Sequence, residues 1–287
     1  MYKRIHFFNG WHNGDIHVSR EFVKWIVENV QAEEYVYSHL SGENIISDID
    51  GLKYDPVLPL DKFSAWKVEN NVLYINTWYR AYPYIHDRHG CTLQCLFVMF
   101  RDALKRLGVD LPNDILLFIP RIDYSKYDLG MAKPAMSKLA ASKKVFISNG
   151  LVLSVQAKNF DFDPIVKNLA SNFSNVTFIL SNINNRIAKD NVLYSKDIIK
   201  SKNNDLNENA YISSLCPVIV GRASGSYTFA CNTDNLLNES KVMINFGQEI
   251  IGSFGLNGLV PAKFVCSSGY ENIEGIISDE IKKYWRL

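Results

Sequence analysis

The chain has 287 residues, of which 47% are hydrophobic and 21% are charged, so it carries ample material for a folded core. Its 31 basic and 30 acidic side chains leave a net charge of +1, which gives no global electrostatic reason to expect a nucleic acid as partner. The five cysteines form no CxxC pair, and neither a leader-like start nor an apolar run of about 18 residues occurs. We therefore expect a cytoplasmic protein with reduced thiols and no transmembrane segment, for which peripheral contact with a membrane stays open.

The first half of the chain alternates predicted strands and helices. Residues 4–8 are apolar enough for a buried strand, and a glycine-bearing loop over residues 9–20 leads from it into a helix. Further strands are predicted at 34–38, 72–78 and 114–120, and an amphipathic helix is predicted at 92–107, closed by Gly108. Residues 79–90 predict a loop rich in aromatic and hydrogen-bonding side chains.

The second half repeats this alternation. Strands are predicted at 144–148, 176–180, 191–196, 217–221 and 241–246, and helices at 163–173, 205–215 and 273–284. Strands that alternate with helices favour parallel sheets covered on both faces. We therefore predict an α/β protein with two Rossmann-like domains, residues 1–140 and 141–287, that face one another across a cleft.

The segment Gly14-Asp15-Ile16-His17 follows the first predicted strand and begins the first helix. Ligands of open α/β sheets bind in the crevice at the carboxyl ends of the strands, so a carboxylate placed there is a candidate general base. Asp15 fits that role, and His17 is a second candidate for proton transfer. An equally good interpretation makes Asp15 a simple helix N-cap, which stabilises a helix by about 1 kcal/mol.

The polar and aromatic residues after the strand at 72–78 predict a binding loop for a ringed or polyhydroxylated ligand. Trp78, Arg80, Tyr82 and His86 offer ring faces and hydrogen-bonding groups within nine positions of one another. These four residues are the predicted binding site for an acceptor.

Residues 155–164, after the first strand of the second half, hold a lysine and two acidic residues. Lys158 is placed to neutralise charge on a departing diphosphate. Asp161-Phe162-Asp163 has the DxD spacing by which many sugar transferases bind Mn²⁺ or Mg²⁺. Asp163 before Pro164 is also explained as a helix N-cap, so a metal site and a structural role both stay open.

A second small-residue loop, Arg222-Ala223-Ser224-Gly225-Ser226-Tyr227, lies between a buried strand and a helix. Small residues let the backbone approach an anion, and an arginine can add a bidentate contact. We predict that Arg222, Ser224, Gly225, Ser226 and Tyr227 bind phosphate. The sequence lacks GxGxxG and GxxxxGK[ST], which disfavours dinucleotide oxidoreductases and P-loop enzymes.

Gly14-Asp15-Ile16-His17, Lys158 and Arg222-Ala223-Ser224-Gly225 together resemble the motifs of bacterial heptosyltransferase-type GT-B glycosyltransferases. The resemblance implies a GT-B fold, Asp15 as base, Lys158 opposite the nucleotide diphosphate, and residues 224–228 as the phosphate loop. Arg222-Ala223-Ser224-Gly225 stands where that family has Asp-Thr-Gly, so the resemblance names no particular sugar.

These observations predict a glycosyltransferase that moves a sugar from a nucleotide-sugar donor to a carbohydrate acceptor with inversion, and that needs neither a metal nor a cofactor. Two alternatives stay open. One is a non-catalytic sugar- or nucleotide-binding module, and the other is a metal-dependent glycosyltransferase that uses Asp161 and Asp163.

Overall fold

The computed structural model describes residues 2–90, 92–153, 156–199 and 205–287. The chain divides into two compact units, Met1–Lys126 and Tyr127–Leu287. Each unit is an α/β domain built around its own sheet. This confirms the predicted fold class of two Rossmann-like domains.

The described part of the first unit forms a five-stranded sheet with the order β3-β2-β1-β5-β4. Its strands are β1 (Arg4–Asn9), β2 (Tyr35–His39), β3 (Leu52–Asp55), β4 (Trp66–Glu69) and β5 (Val72–Asn76). All neighbours pair in parallel except β4, which is antiparallel to β5 at one edge. The central strand β1 is buried along most of its length, as its apolar sequence predicts.

Three α-helices accompany this sheet in the described residues, α1 (Asn13–Asn29), α2 (Pro83–His89) and α3 (Leu93–Lys105). Short 3₁₀ helices lie at Glu43–Ile45, Tyr79–Ala81, Ile115–Phe118 and Tyr124–Lys126. Phe22 of α1 stacks between Phe100 of α3 and Phe118, with ring centroids 4.8 and 4.3 Å away. Each such fully buried ring contributes about 1.5–3 kcal/mol of hydrophobic stabilisation, which fixes α1 and its first turn in place.

The described part of the second unit forms a six-stranded, fully parallel sheet with the order β11-β10-β9-β6-β7-β8. Its strands are β6 (Lys143–Ser148), β7 (Val176–Leu180), β8 (Val192–Tyr194), β9 (Val218–Arg222), β10 (Val242–Phe246) and β11 (Lys263–Ser267). The central strands β9 and β10 are buried at every position, as expected for a parallel sheet with both faces covered.

The helices described in this unit are α4 (Ala132–Lys138), α5 (Asp163–Asn172), α6 (Leu206–Ser214), α7 (Gly225–Ala230), α8 (Thr233–Leu236), α9 (Glu249–Gly252) and α10 (Ile273–Trp285), with a 3₁₀ turn at Ser195–Asp197. Val166 and Leu169 of α5 and Ile277 and Ile281 of α10 join the apolar core of the sheet. This packing holds the carboxyl ends of β6, β9 and β10 in register.

The division between the units lies earlier in the chain than the sequence predicts. We predicted a boundary at residues 140/141, whereas the compact units divide at 126/127. Helix α4 therefore belongs to the second unit. The backbone N–H of Met131, just before α4, donates a 2.9 Å hydrogen bond to the carbonyl of Ile198 in that unit.

Two local predictions are wrong. The predicted strand at 114–120 is a 3₁₀ helix over Ile115–Phe118, which Asp114 caps by accepting a hydrogen bond from the Leu116 N–H. The predicted loop at 79–90 contains a 3₁₀ turn and helix α2, which starts at Pro83 and ends at His89, with Gly90 after it in a positive-φ conformation. Three edge strands, β3, β4 and β11, were not predicted from the sequence. Among the described helices, none combines the length and apolarity that crossing a membrane requires.

Candidate active site

In both sheets the strand order reverses at a switch point, and an open α/β sheet binds its ligand in the crevice at that point. In the first unit the chain moves outward from β1 to β3, crosses to β4 at the opposite edge and then forms β5 on the other side of β1. In the second unit it moves outward from β6 to β8 and returns on the other side of β6 at β9. The predicted site residues of each unit follow those strands in the chain.

Asp15 lies in the first turn of α1, at the switch point of the first unit. Its side chain is half-buried, and burial raises the pKa of the carboxyl group from its usual 3.8 to about 7, an effect that the nearby Arg80 guanidinium opposes. Among the described residues, no group hydrogen-bonds to this carboxylate. A carboxyl group with a pKa near neutrality and free oxygens has the properties of a general base.

The structure does not support the alternative that Asp15 is a helix cap. Helix α1 begins at Asn13, and its N-cap residue is His12, whose side chain makes no capping hydrogen bond. Asp15 is therefore the third residue inside the helix. His17 lies two positions further along and is fully buried. Its ring is out of reach of a substrate in solvent, which leaves Asp15 as the candidate base.

A buried polar network connects the strand ends beside Asp15. The hydroxyl of Tyr37 lies 3.1 Å from Oγ of Ser19 and 2.5 Å from Oγ1 of Thr77. Nδ2 of Asn9 donates to the same Thr77 oxygen over 3.0 Å. Burial raises the pKa of the Tyr37 hydroxyl, and the Asp15 charge adds to this effect. The network joins α1, the helix that carries Asp15, to β1, β2 and the end of β5.

The four predicted acceptor residues lie in two different environments. Trp78 is partly exposed and stacks on Trp11, with ring centroids 4.7 Å apart, and Arg80 is exposed. Tyr82 is buried, and its hydroxyl donates a 3.2 Å hydrogen bond to the carbonyl of Asn76. The ring of His86 stacks on Tyr79 over 5.4 Å. Trp78 and Arg80 are therefore accessible, whereas Tyr82 packs inward.

Arg222, at the end of β9, directs its guanidinium to the protein itself. The side chain is 2% exposed, and its donors reach the carbonyls of Phe160 (2.6 Å), Asn149 (2.6 Å) and Gly150 (2.7 Å). The guanidinium also lies 5.2 Å from the ring centroids of both Phe160 and Phe162. These contacts join the loop after β6 to the segment before α5.

The serine hydroxyls of the small-residue loop form a chain at the switch point of the second unit. Ser148 Oγ donates to Ser226 Oγ over 3.0 Å, and the Ser224 and Ser226 oxygens are 3.1 Å apart. Ser224 caps α7 by accepting from the N–H of Tyr227, whose own hydroxyl is buried without a hydrogen-bond partner in the described residues. Ser226 and Gly225 are partly exposed and can reach a ligand.

Two glycines allow neighbouring loops to approach these serines closely. A Cβ atom on Gly150 would lie 2.6 Å from Ser226 Oγ, and one on Gly247 would lie 2.7 Å from the Cβ of Ala223. Gly247 also has a φ of +145°, which favours glycine. The loops after β6, β9 and β10 therefore come together at one point. Their small side chains leave the backbone there open to a ligand.

Lys158 lies in the loop between β6 and α5 and is exposed. Its backbone N–H donates to the hydroxyl of Tyr270 over 3.0 Å, and its Nζ lies 5.5 Å from the centroid of that ring. These contacts fix the backbone of Lys158 and leave its ammonium group accessible to an anion.

The carboxylates of the DxD segment make local hydrogen bonds. Asp161 Oδ1 accepts from the N–H of Asp163, and Asp163 Oδ2 accepts from the backbone and side chain of Asn185. The predicted N-cap role of Asp163 is wrong, because helix α5 begins at Asp163 and its N-cap is Phe162. Within the described ranges, no cluster of three or more His, Cys, Asp and Glu side chains has metal-binding geometry.

The sequence matches no protein-family model and no curated protein. Solved structures do match. A family 9 glycosyltransferase from Veillonella parvula is 12% identical, with a TM-score of 0.56 over 99% of this chain and 96% of its own. The Escherichia coli heptosyltransferase WaaC with ADP is 10% identical, with a TM-score of 0.58 over 98% and 99%. The chain has the GT-B fold. Escherichia coli ADP-heptose LPS heptosyltransferase II has the same fold at 9% identity, with a TM-score of 0.53 over 98% of each chain.

Several residues at the GT-B switch points escaped the sequence analysis. Asn9, Tyr37 and Thr77 form the polar network of the first unit, and Ser148 extends the serine chain of the second unit. Three of them end, or directly follow, a strand of the sheet. A polar residue at the carboxyl end of an apolar strand was the one signal that could have revealed them.

Proposed function

We propose that the chain is a glycosyltransferase that moves a sugar from a nucleotide-sugar donor to a carbohydrate acceptor. The Asp15 carboxyl group carries this proposal, because it lies at a switch point, has a pKa of about 7 and accepts no hydrogen bond from the described residues. The GT-B fold of the chain supports the same conclusion by analogy.

In the proposed reaction Asp15 accepts the proton of an acceptor hydroxyl, and that oxygen attacks the anomeric carbon of the donor. The bond from this carbon to the phosphate oxygen breaks in the same step, so the configuration inverts and a nucleoside diphosphate leaves. A positioned base of this kind contributes about 10²- to 10⁴-fold in rate.

The second unit supplies the contacts to the leaving group. The Ser226 hydroxyl and the backbone at Gly225 are accessible and would bind the phosphates, and the Lys158 ammonium would balance the charge that develops on them. We assign Arg222 the role of positioning the loop after β6, because its guanidinium donates hydrogen bonds to three carbonyls of that loop. Tyr227 packs against this loop from inside the unit.

Binding of the donor can be tested by thermal shift with nucleoside diphosphates and nucleotide sugars. ADP and ADP-sugars come first, because the WaaC structures are described as complexes with ADP and with ADP-2-deoxy-2-fluoro heptose. A ligand that binds only the folded state raises the melting temperature. We expect one nucleoside diphosphate to do so, and we expect Lys158→Ala to weaken the shift more than Lys167→Ala, which removes an exposed lysine on α5.

Catalysis is tested by release of the nucleoside diphosphate in the presence of defined saccharide acceptors, with and without EDTA. The proposed mechanism predicts release that EDTA leaves unchanged. Loss of release in EDTA would favour the metal-dependent alternative at Asp161 and Asp163. Nucleotide binding without release, and indifferent to substitution of Asp15, would favour the non-catalytic binding module.

A further inference from the structure

Three aromatic side chains form a cluster at the carboxyl edge of the first sheet, which we call the aromatic platform. It consists of Trp11 after β1, Trp78 after β5 and Phe63 in the segment before β4. The two indoles stack at 4.7 Å, and the Phe63 ring centroid lies 5.4 Å from Trp11 and 5.9 Å from Trp78. Phe63 is nevertheless 58% exposed, so the platform presents an aromatic ring to solvent.

Two buried asparagines hold the indoles of the platform in position. Asn9 Oδ1 accepts from the N–H of Trp11 over 2.9 Å, and Asn76 Oδ1 accepts from the N–H of Trp78 over 2.9 Å. Both contacts are side-chain turns of the Asx type at the ends of adjacent parallel strands. Because β1 and β5 are neighbours, these equivalent turns at their ends bring the two indoles into a stack.

The Phe63 segment is fixed to the same strand end. Asn76 Nδ2 donates to the carbonyls of Lys62 (2.9 Å) and Ser64 (2.7 Å), on either side of Phe63. Gly10 allows the approach, because a Cβ atom there would lie 2.7 Å from the Cβ of Lys62. The platform is therefore held by buried hydrogen bonds from Asn76 and does not depend on a ligand for its shape.

Two cations border the platform. Lys62 Nζ lies 4.0 Å from the centroid of the Trp11 ring and 5.4 Å from that of Phe63. Arg80, two residues after Trp78, is close enough to oppose the rise that burial causes in the pKa of Asp15 and to add to the fall that burial causes in the pKa of His12. Neither cation pairs with a carboxylate in the ranges that the structure describes. Their donors are available to an incoming ligand.

This combination matches the chemistry of a sugar ring. The C–H groups on one face of a pyranose carry partial positive charge and pack on the negative face of an aromatic ring. The oxygen substituents around its rim accept hydrogen bonds from ammonium and guanidinium groups. Trp11 and Asp15 both lie in the segment that follows β1, and the Arg80 charge acts on the Asp15 carboxyl group, so the platform and the proposed base share the carboxyl edge of the first sheet.

We propose that the platform of Trp11, Phe63 and Trp78 binds a sugar ring of the acceptor by stacking on the exposed ring of Phe63, with Lys62 and Arg80 donating to its oxygen substituents. This inference rests on the proposed function, and it assigns acceptor recognition to residues from three separate stretches of the chain. Phe63 is the contact residue with the most accessible ring, and Asn76 is the residue that positions the platform.

Binding to immobilised saccharides tests the platform without a nucleotide. The panel contains neutral hexosides, hexosaminides, uronic acids and hexose phosphates, and its classes reveal whether hydroxyls or anionic groups meet the two cations. We expect wild type to bind at least one class, Phe63→Ala to weaken that binding by about two- to tenfold, and Phe63→Tyr to retain it. Leu117→Ala is the matched control, because Leu117 of the same unit is similarly exposed, at 60%, but lies outside the platform and the predicted acceptor loop.

Three results would overturn the proposal. The first is that wild type binds no saccharide of the panel at millimolar concentration, and the second is that Phe63→Ala binds as tightly as wild type. The third is binding to vesicles of anionic phospholipid that Phe63→Ala abolishes, in the absence of saccharide binding, which would make the platform a membrane contact. Thermal shift with ADP is measured in parallel on Phe63→Ala. Because the substitution lies in the first unit, the ADP shift reports on the proposed donor site alone, and failure of the platform is thereby distinguished from failure of that site.

Discussion

Replacement of Arg222 by methionine distinguishes a positioning arginine from a phosphate ligand. The guanidinium is buried and donates to the carbonyls of Phe160, Asn149 and Gly150. Methionine fills much of the same volume but has no donor, so Arg222→Met leaves three carbonyls without this partner. Because these carbonyls join the loop after β6 to the segment before α5, the substitution removes the connection between those two stretches.

The size of the effect follows from these contacts. A buried acceptor that loses its partner costs about 1–3 kcal/mol, and hydrogen bonds from a charged donor lie at the upper end of the usual range. Water can reach part of the loop, which lowers the sum for three carbonyls. We expect Arg222→Met to reduce the free energy of unfolding by about 3–5 kcal/mol and the melting temperature of the second unit by roughly 10 °C.

The assay combines urea unfolding with hydrogen exchange read by mass spectrometry. Backbone amides in residues 149–153 and 156–162 should exchange faster in Arg222→Met, because the loop has lost its anchor. Arg186→Met is the control, since Arg186 forms an exposed bidentate ion pair with Asp197 and should contribute less than about 1 kcal/mol. Unchanged stability and exchange, together with lost nucleotide binding, would refute the reasoning and make Arg222 a phosphate ligand.

Two further predictions concern stability. The pKa of Asp15 is raised in the folded state, so the folded protein binds more protons than the unfolded chain between about pH 4 and pH 7, and this carboxyl group destabilises the fold increasingly as the pH rises through that window. Asp15→Asn should therefore stabilise the protein by about 1–3 kcal/mol near pH 8 and by almost nothing near pH 4, and an equal gain at both would contradict the raised pKa. Gly221→Ala places a Cβ atom 2.5 Å from Cδ2 of Tyr227 and 3.1 Å from the Cβ of Ser148. Urea unfolding should show a loss of about 1–3 kcal/mol, and a loss within error of zero would mean that the Tyr227 ring can move aside.

The sequence was most informative where local pattern and tertiary structure agree. Fully buried strands such as β9 and β10 appear as apolar runs, and the capped helix α3 appears in its periodicity. The edge strands β3, β4 and β11 gave no comparable signal, unlike the edge strand β8, because they are only partly buried and lack a continuous apolar run. The segment at 114–120 looked like a strand because a short apolar run does not distinguish a strand from a turn of 3₁₀ helix.

The candidate site was predictable only in part, because much of it is built by long-range contacts. Asp15 was found from a local strand-loop-helix pattern. Phe63 lies 52 positions after Trp11, and no spacing rule connects them. Arg222 was expected to bind phosphate on the basis of its residue type and loop, whereas its partners lie more than 60 positions away in the chain. Sequence identifies the chemistry available to a residue, and the folded chain determines which partners use it.

The most direct test of the account is the pH dependence of kcat for sugar transfer by wild type and by Asp15→Asn, measured on the donor and acceptor that the binding screens identify. The account predicts that wild-type kcat falls on the acid side with an apparent pKa near 7. It also predicts that Asp15→Asn loses about 10²- to 10⁴-fold in kcat while it binds the nucleoside diphosphate as tightly as wild type. An Asp15→Asn protein that transfers sugar at the wild-type rate would contradict it.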